Sequence, residues 1–262
     1  MGWKDAFDYM RGIANKKGAA VGEQRVDEGL PLGARIGSLL TMQQSPFIRA
    51  NSAGSLIAVP EAADNRIQAV SQIKLNMSGG LYRFYLDTGD IDAKEKFLQV
   101  FRNAQGEVAE IMYCTQLARV IPETADDQDA YTGRAGYGLG DRTYTLWREQ
   151  LGDVGLDEAD LNLVFGTSDR VDYWRDAGNS DAEFVAPFTG TETRIDDAAG
   201  AQGLQQEMYF MPYVRELPGG GQEYLLITTE IINSVNGDTS KRGIHVDFVI
   251  GLPMEPQRVT VQ

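Results

Sequence analysis

The sequence predicts an α+β protein of mainly antiparallel β-sheet, with a few helices and an irregular insert in its middle. Two observations carry that prediction. Three strand-like runs follow one another between residues 208 and 252, and a series of short strand patterns ends near residue 120, before a less regular stretch over 121–206. In the first C-terminal run, residues 208–217 are rich in aromatic and β-branched side chains, and Pro218-Gly-Gly-Gly221 breaks the run with hairpin chemistry. The next run, 223–232, places Leu225, Ile227 and Ile231 on one face and Tyr224, Leu226 and Ile232 on the other. Apolar residues on both faces predict a central strand covered twice. After a polar loop holding Asn236-Gly237, Ile244, Val246, Phe248 and Ile250 share one face, and His245 and Asp247 occupy the other, which reads as an exposed polar face. Pro212 has no N–H to give to a ladder and predicts an edge or a bulge.

Taken from the start, Trp3, Phe7, Met10 and Ala14 fall on one stripe of a short amphipathic helix. Residues 15–29 carry too few apolar groups to offset the entropy of ordering them and read as a flexible linker. The predicted organisation is therefore a helix and linker over 1–29, and a single β-rich α+β domain over 30–262 with its insert at about 121–206. Residues 30–40 fit a strand or a helical turn equally well, because two glycines and a proline confuse the period. Strands are predicted over 55–59, 66–75, 81–86, 97–102 and 107–115, the last two joined by a hairpin loop with Gly106 at the position that needs positive φ. Within the insert, 123–129 reads as an acidic loop and 133–140 as a glycine-rich loop. A helix is predicted over 141–151 with Asp141 as its N-cap, a second begins at 157–163, and a strand lies over 184–195.

Composition narrows the function. A net charge of -14 repels a phosphate backbone, and no basic patch is dense enough to override it, so nucleic acid is not an expected partner. One cysteine, Cys114, excludes an intramolecular disulfide framework and fits a reducing cytoplasm. The N-terminus lacks a basic start and an apolar core segment, and no run of eighteen apolar residues occurs, so a cytoplasmic chain with no transmembrane span is expected.

Three stretches carry a family resemblance: Gly29-Leu-Pro-Leu-Gly-Ala-Arg-Ile-Gly37, Leu81-Tyr-Arg-Phe-Tyr85 followed by Lys96-Phe-Leu-Gln-Val100, and Glu207-Met-Tyr-Phe-Met211 with Tyr224-Leu-Leu-Ile227. Together they resemble the YjfK-like family of uncharacterised bacterial proteins, a domain of unknown function. The likeness covers residues 29–115 and 205–252 and assigns no catalytic residue. It implies a setting: a cytoplasmic accessory at the inner membrane, beside a PspA-like coiled-coil membrane-stress protein, a small multi-span membrane protein and an ATP-grasp ligase.

Several constellations can be weighed on chemistry alone. Leu86-Asp87-Thr88-Gly89 has the form of an aspartic-protease loop, but it occurs once and Asp90 follows the glycine, so turn chemistry accounts for it better. His245, the only histidine, shares a strand face with Asp247, and the pair has the form that orients an imidazole for a nucleophile such as Cys114. Asp87, Asp90 and Asp92 form one carboxylate group and Asp126, Asp127 and Asp129 another, but neither follows a calcium-loop pattern. Gly133-Arg-Ala-Gly-Tyr-Gly-Leu-Gly140 lacks the Lys-Ser or Lys-Thr of a phosphate-binding loop. No catalytic, metal or cofactor residue is assigned on these grounds. The expected function is a non-enzymatic interaction or adaptor module with a protein partner, docking through Trp3, Phe7 and Met10. The rival expectation is an enzyme or binding protein for a cationic small molecule or polyamine conjugate, drawn to the acidic loops.

Overall fold

The computed structural model describes residues 25–60, 64–87, 94–232 and 243–262. The predicted helix bearing Trp3, Phe7 and Met10 lies outside them, as do Thr88, Gly89, Asp90, Asp92 and the Asn236-Gly237 turn. Among the described residues, twelve strands form one antiparallel system. They are β1 (Leu39–Met42), β2 (Asp64–Leu75), β3 (Gly80–Asp87), β4 (Lys96–Arg102), β5 (Val108–Val120) and β6 (Thr143–Trp147), then β7 (Arg170–Arg175), β8 (Phe188–Ile195), β9 (Gly203–Glu216), β10 (Gln222–Ile232), β11 (Gly243–Pro253) and β12 (Val259–Val261). Short helices connect them: α1 (Ser45–Ser52), α2 (Ala125–Thr132), α3 (Arg148–Asp153) and α4 (Glu158–Phe165).

The expected α+β arrangement is not what forms. Strand makes up 47% of the described residues and helix 16%, so the helices are connectors rather than a layer. In the order β2, β3, β4, β5, β11, β10, β9, β8 each strand pairs with the next, and β8 pairs with β2 as well, closing an eight-stranded antiparallel barrel. Alternation in a sequence shows the two faces of a strand but not its neighbours, and closure depends on neighbours. The closing strand β8 comes from the stretch read as an insert, and its register runs from Val70↔Ile195 to Leu75↔Gly190. β1 and β12 extend the wall beyond β2, and β7 and β6 extend it beyond β9.

The three C-terminal runs form β9, β10 and β11 as expected, and β10 is buried on both faces. Leu217 and Gly221 close the β9–β10 hairpin, and Gly106 takes positive φ in the β4–β5 loop. Pro212 sits where β9 changes partner on one side, from β8, which ends opposite Phe210, to β7, which begins opposite Tyr213. Its carbonyl accepts from Asp176 N on that side, so its missing N–H faces the gap between the two strands. The predicted helix over 141–151 is instead β6 followed by the short α3, because Tyr144, Leu146 and Trp147 alternate across a strand paired with β7. Residues 55–59 are not a strand, and the acidic run 123–129 enters α2 with Thr124 as N-cap.

The two faces of the barrel wall differ. The outward set, which includes Phe84, Leu98, Tyr113, Met211, Ile227 and Ile250, belongs to the main apolar core. It is roofed by the segment through α1, with Phe47 and Ile57, and by the segment from α2 to β7, with Leu151, Leu161 and Tyr173. On the uncovered arc of β2 and β8 the outward residues Gln68, Gln72, Lys74, Thr189 and Thr193 are polar and exposed. Buried Glu223 fastens the roof to β10: it accepts from Ser55 Oγ, from Leu56 N at 2.6 Å, from Tyr173 Oη at 2.6 Å and from Arg215 Nε at 2.7 Å.

Closure makes one glycine indispensable. A Cβ at Gly190 would lie 2.0 Å from the Lys74 carbonyl of β2. Gly190→Ala is therefore expected to destabilise the fold by about 3 kcal/mol in urea denaturation, the upper range for overpacking. A cost below about 0.5 kcal/mol, the size of an ordinary surface change, would count against β8 closing the barrel.

Candidate functional site

Closing the barrel turns the other face of each strand inward. Arg83 on β3 reaches Glu230 and Thr228 on β10, which stands diametrically opposite in the ring, so these side chains cross the lumen. The half of the lumen nearest the β2–β3 and β9–β10 turns is apolar, with Ile73, Leu81 and Met208. The other half holds a chain of alternating acidic and basic groups. Asp196 pairs with Arg194 at 2.8 Å, Arg194 with Glu95 at 3.1 Å, Glu95 with Arg119 at 3.7 Å, and Arg119 with Asp247 at 2.6 Å. From Asp247 it continues to His245 at 3.8 Å, then Glu230 at 2.8 Å, Arg83 at 3.4 Å and Glu192 at 3.6 Å. It runs from partly exposed groups at the rim to Glu192, whose side chain is fully buried.

Strand geometry places the central members, while Glu95 and Asp196 stand just outside the ends of β4 and β8. The period of two puts His245 and Asp247 side by side on β11, and the β10–β11 register sets Glu230 opposite His245. On β5 the side chains alternate in the ordinary way from Tyr113 up to a bulge at Leu117, opposite the step from Phe248 to Val249. The extra residue reverses the alternation, so Arg119 faces inward and grips both oxygens of Asp247, at 2.6 and 2.7 Å.

Burial and charge set the protonation of the two deepest carboxyls in opposite directions. Burial pushes Glu192 up, but the Arg83 charge and the hydrogen bonds from Gln206 and Tyr85 outweigh it, and its pKa lies below the ordinary value. For Glu230 burial also pushes upward, and the charges of Glu192 and Asp247 add to it; the hydrogen bond with His245 only partly offsets them, so its pKa is raised.

A second feature lies outside the barrel. β6 and β7 form a ribbon whose outer face carries Trp147 beside Arg170 and Trp174 beside Arg142, with guanidinium-to-ring distances of 5.9 and 5.7 Å. The two indoles are 41% and 53% exposed, unusual for the largest apolar side chain. Arg175 N bonds Arg142 O and Arg148 N bonds Asp169 O, so even-numbered residues of β6 turn their backbone groups towards β7. Thr143 and Thr145 turn theirs outward, and among the described residues no strand pairs with that edge. A cavity of about 620 Å³ beside Trp147 is lined by Glu149, Asp153, Glu158 and Asp169, and another of about 540 Å³ lies beside Trp174.

Compared with family models, curated proteins and solved structures, the chain matches none.

The sites read from sequence are redistributed. His245 and Asp247 are not on an exposed face: they are 3% and 5% exposed, inside the lumen, because closure turns the polar face of β11 inward. Cys114 is also buried, its sulfur lies 3.8 Å from Met112 O, and burial pushes its thiol well up, so it is held as the thiol. Asp87 ends β3 at the surface. Asp127 serves to cap α2, accepting from Thr124. The glycine-rich loop precedes a strand rather than a helix, and its Gly140 N donates to Tyr213 Oη. Sequence reading missed Arg83, Glu192 and Glu230: a charge in the middle of an apolar strand was a signal for Arg83 and Glu230, whereas Glu192 stands between threonines and carried none. It also missed Trp147 as a surface group, because a helical period buried it.

The opposite shifts make a paired prediction. Glu192→Gln leaves Arg83 short of a buried partner and is expected to cost about 3 kcal/mol at neutral pH, whereas Glu230→Gln removes a carboxyl whose ionisation is opposed by burial and by the charges of Glu192 and Asp247, and it should cost less. Glu192 contributes stability above the ordinary carboxylate range that is lost as pH falls through its lowered pKa. Glu230 has the opposite sign, and its contribution declines as pH rises above the ordinary value of 4.5. Urea denaturation across pH should show the Glu230→Gln variant gaining on the parent as pH rises from there, and parallel curves would contradict the assignment.

Proposed function

We propose that this protein is a non-enzymatic interaction module that engages a protein partner through the outer face and open edge of the β6–β7 ribbon. The observation that carries the reading is the pair of exposed tryptophans on one face of a ribbon whose edge strand keeps Thr143 and Thr145 backbone groups turned outward. Rigid, amphipathic indoles bury large area at small entropic cost, and an open edge offers main-chain hydrogen bonds to an extended segment. Among the described residues no helix is long and apolar enough to cross a membrane. The resemblance to the YjfK-like family supports a setting for this module: a cytoplasmic accessory of a bacterial membrane-stress assembly, with a PspA-like coiled-coil protein or a small inner-membrane protein as partner. The predicted helix with Trp3, Phe7 and Met10 would be a second docking element in that assembly.

One feature favours the rival reading, a binding protein for a cationic small molecule or polyamine. Four carboxylates and an indole line the cavity beside Trp147, and Arg148 neutralises only Glu158 among them. Spermidine is the probe that separates the two.

For the interaction reading, a Trp147→Ala, Trp174→Ala double variant should bind the PspA-like protein of the same cell at least roughly 30-fold more weakly, the loss of about 2 kcal/mol expected of one interface anchor. Biolayer interferometry checks it, with thermal melting as the folding control. Unchanged affinity rejects the ribbon as the docking face. A spermidine-induced rise in melting temperature that the double variant loses, without any protein binding by the parent, would move the function to the small cation.

A further inference from the structure

We propose that Glu230, His245 and Asp247 form a binding site for a first-row divalent transition cation, such as zinc or manganese, inside the polar half of the lumen. The three groups offer one ligand atom each within 4.8 Å of one another, and all three residues are buried. They stand on two adjacent strands of a closed barrel, so the backbone holds them without loop ordering.

The hydrogen bonding of the carboxylates aims the site. Glu230 accepts from Arg83 on Oε1 and presents Oε2 to His245 Nε2 at 2.8 Å. Asp247 is held by Gln116 and Arg119 on Oδ1, and its Oδ2, which accepts from Arg119 Nη2, faces His245 Nε2 at 3.8 Å. Arg83, Arg119 and Gln116 thus stand where outer groups stand around a metal centre, fixing each carboxylate while one oxygen points at the common space. Ligand atoms about 2.0–2.1 Å from a tetrahedral ion lie about 3.3 Å from one another. The histidine-to-glutamate distance would open by a few tenths of an ångström from 2.8 Å, and the histidine-to-aspartate distance would close by a similar amount from 3.8 Å.

Charge points the same way. The chain of paired groups holds five carboxylates, three guanidiniums and one imidazole, so with the carboxylates ionised and His245 neutral, the forms that ligate, it carries an excess of two negative charges. A divalent cation at Nε2 neutralises that excess within one connected network. An imidazole with two carboxylates suits zinc, manganese or their first-row neighbours, and an all-oxygen site would be needed to favour calcium or magnesium.

The test uses the full chain, purified without a histidine tag and stripped with a chelator. Addition of Zn²⁺ or Mn²⁺ should raise its melting temperature by at least about 5 °C, with Mg²⁺ and Ca²⁺ giving less. His245→Gln and Glu230→Gln should each weaken the zinc or manganese affinity tenfold or more by titration calorimetry. Melting of each metal-free variant shows whether it folds, and if His245→Gln does not, Glu230→Gln decides. No shift with either ion, a stronger response to Mg²⁺ or Ca²⁺, or full affinity in a folded variant would overturn the site.

Discussion

Arg83 is the residue on which the architecture turns. A guanidinium buried in the middle of a protein is tolerated only with partners, and its partners Glu192 and Glu230 lie on β8 and β10, two and four strands away around the ring. They can meet Arg83 only across a lumen, so satisfying that one charge requires β8 to return to β2 and close the barrel. Register is constrained as strongly. A slip of one residue in β3 would carry Arg83 into the apolar outer layer and bring Phe84 into the charged lumen, and both changes are costly.

Closure around charge explains why the main core lies outside the barrel rather than within it. An eight-stranded barrel has room for one set of side chains. Here charged groups share that space with Tyr85, Phe97 and Phe210, while the larger apolar faces of β3, β4, β5, β9, β10 and β11 point outward and need a cover. The segments through α1 and from α2 to β7 supply it. Their attachment is not purely hydrophobic: Glu223 gathers Ser55, Leu56, Tyr173 and Arg215 at one buried point. Arg175 gathers the carbonyls of Gly140, Ala177, Asn179 and Ala182 at another. Arg175 thereby satisfies carbonyls of irregular segments outside the ladders, and Glu223 does the same for the Leu56 N–H.

Most of the strands were legible in the sequence, because alternation and turn residues are local: β2, β3, β4, β5 and the β9–β10 hairpin follow directly from them. The barrel was not legible, since closure is a contact between β2 and β8 more than a hundred residues apart. The same gap misplaced the charged residues. On β11, alternation correctly put His245 and Asp247 together and opposite the apolar set, but with one face assumed to meet solvent the polar face was assigned to it. With a polar lumen the inference reverses. Arg119 was hidden for a further reason, since the bulge at Leu117 that turns it inward leaves no mark in the residue types around it. Across β6 and α3, Tyr144, Trp147 and Leu151 fit a helical spacing that the pairing of β6 with β7 overrides.

The exposed ribbon is a consequence of the same closure. β9 is fourteen residues long, and its side away from β10 is shared between β8 up to Phe210 and β7 from Tyr213. Pro212 stands at the exchange and has no N–H for either strand to accept, so neither neighbour can run continuously past it. β8 therefore leaves to complete the barrel while β7, attached to β9 at only Trp174 and Arg175, carries β6 away from the wall. A ribbon held at one end by a two-residue ladder presents its far face and its edge without disturbing the charge chain inside. The proposed docking face outside and the proposed ion site inside are thus separated by the same residue that divides the strand, and a partner on the ribbon would not need to alter the lumen to be held.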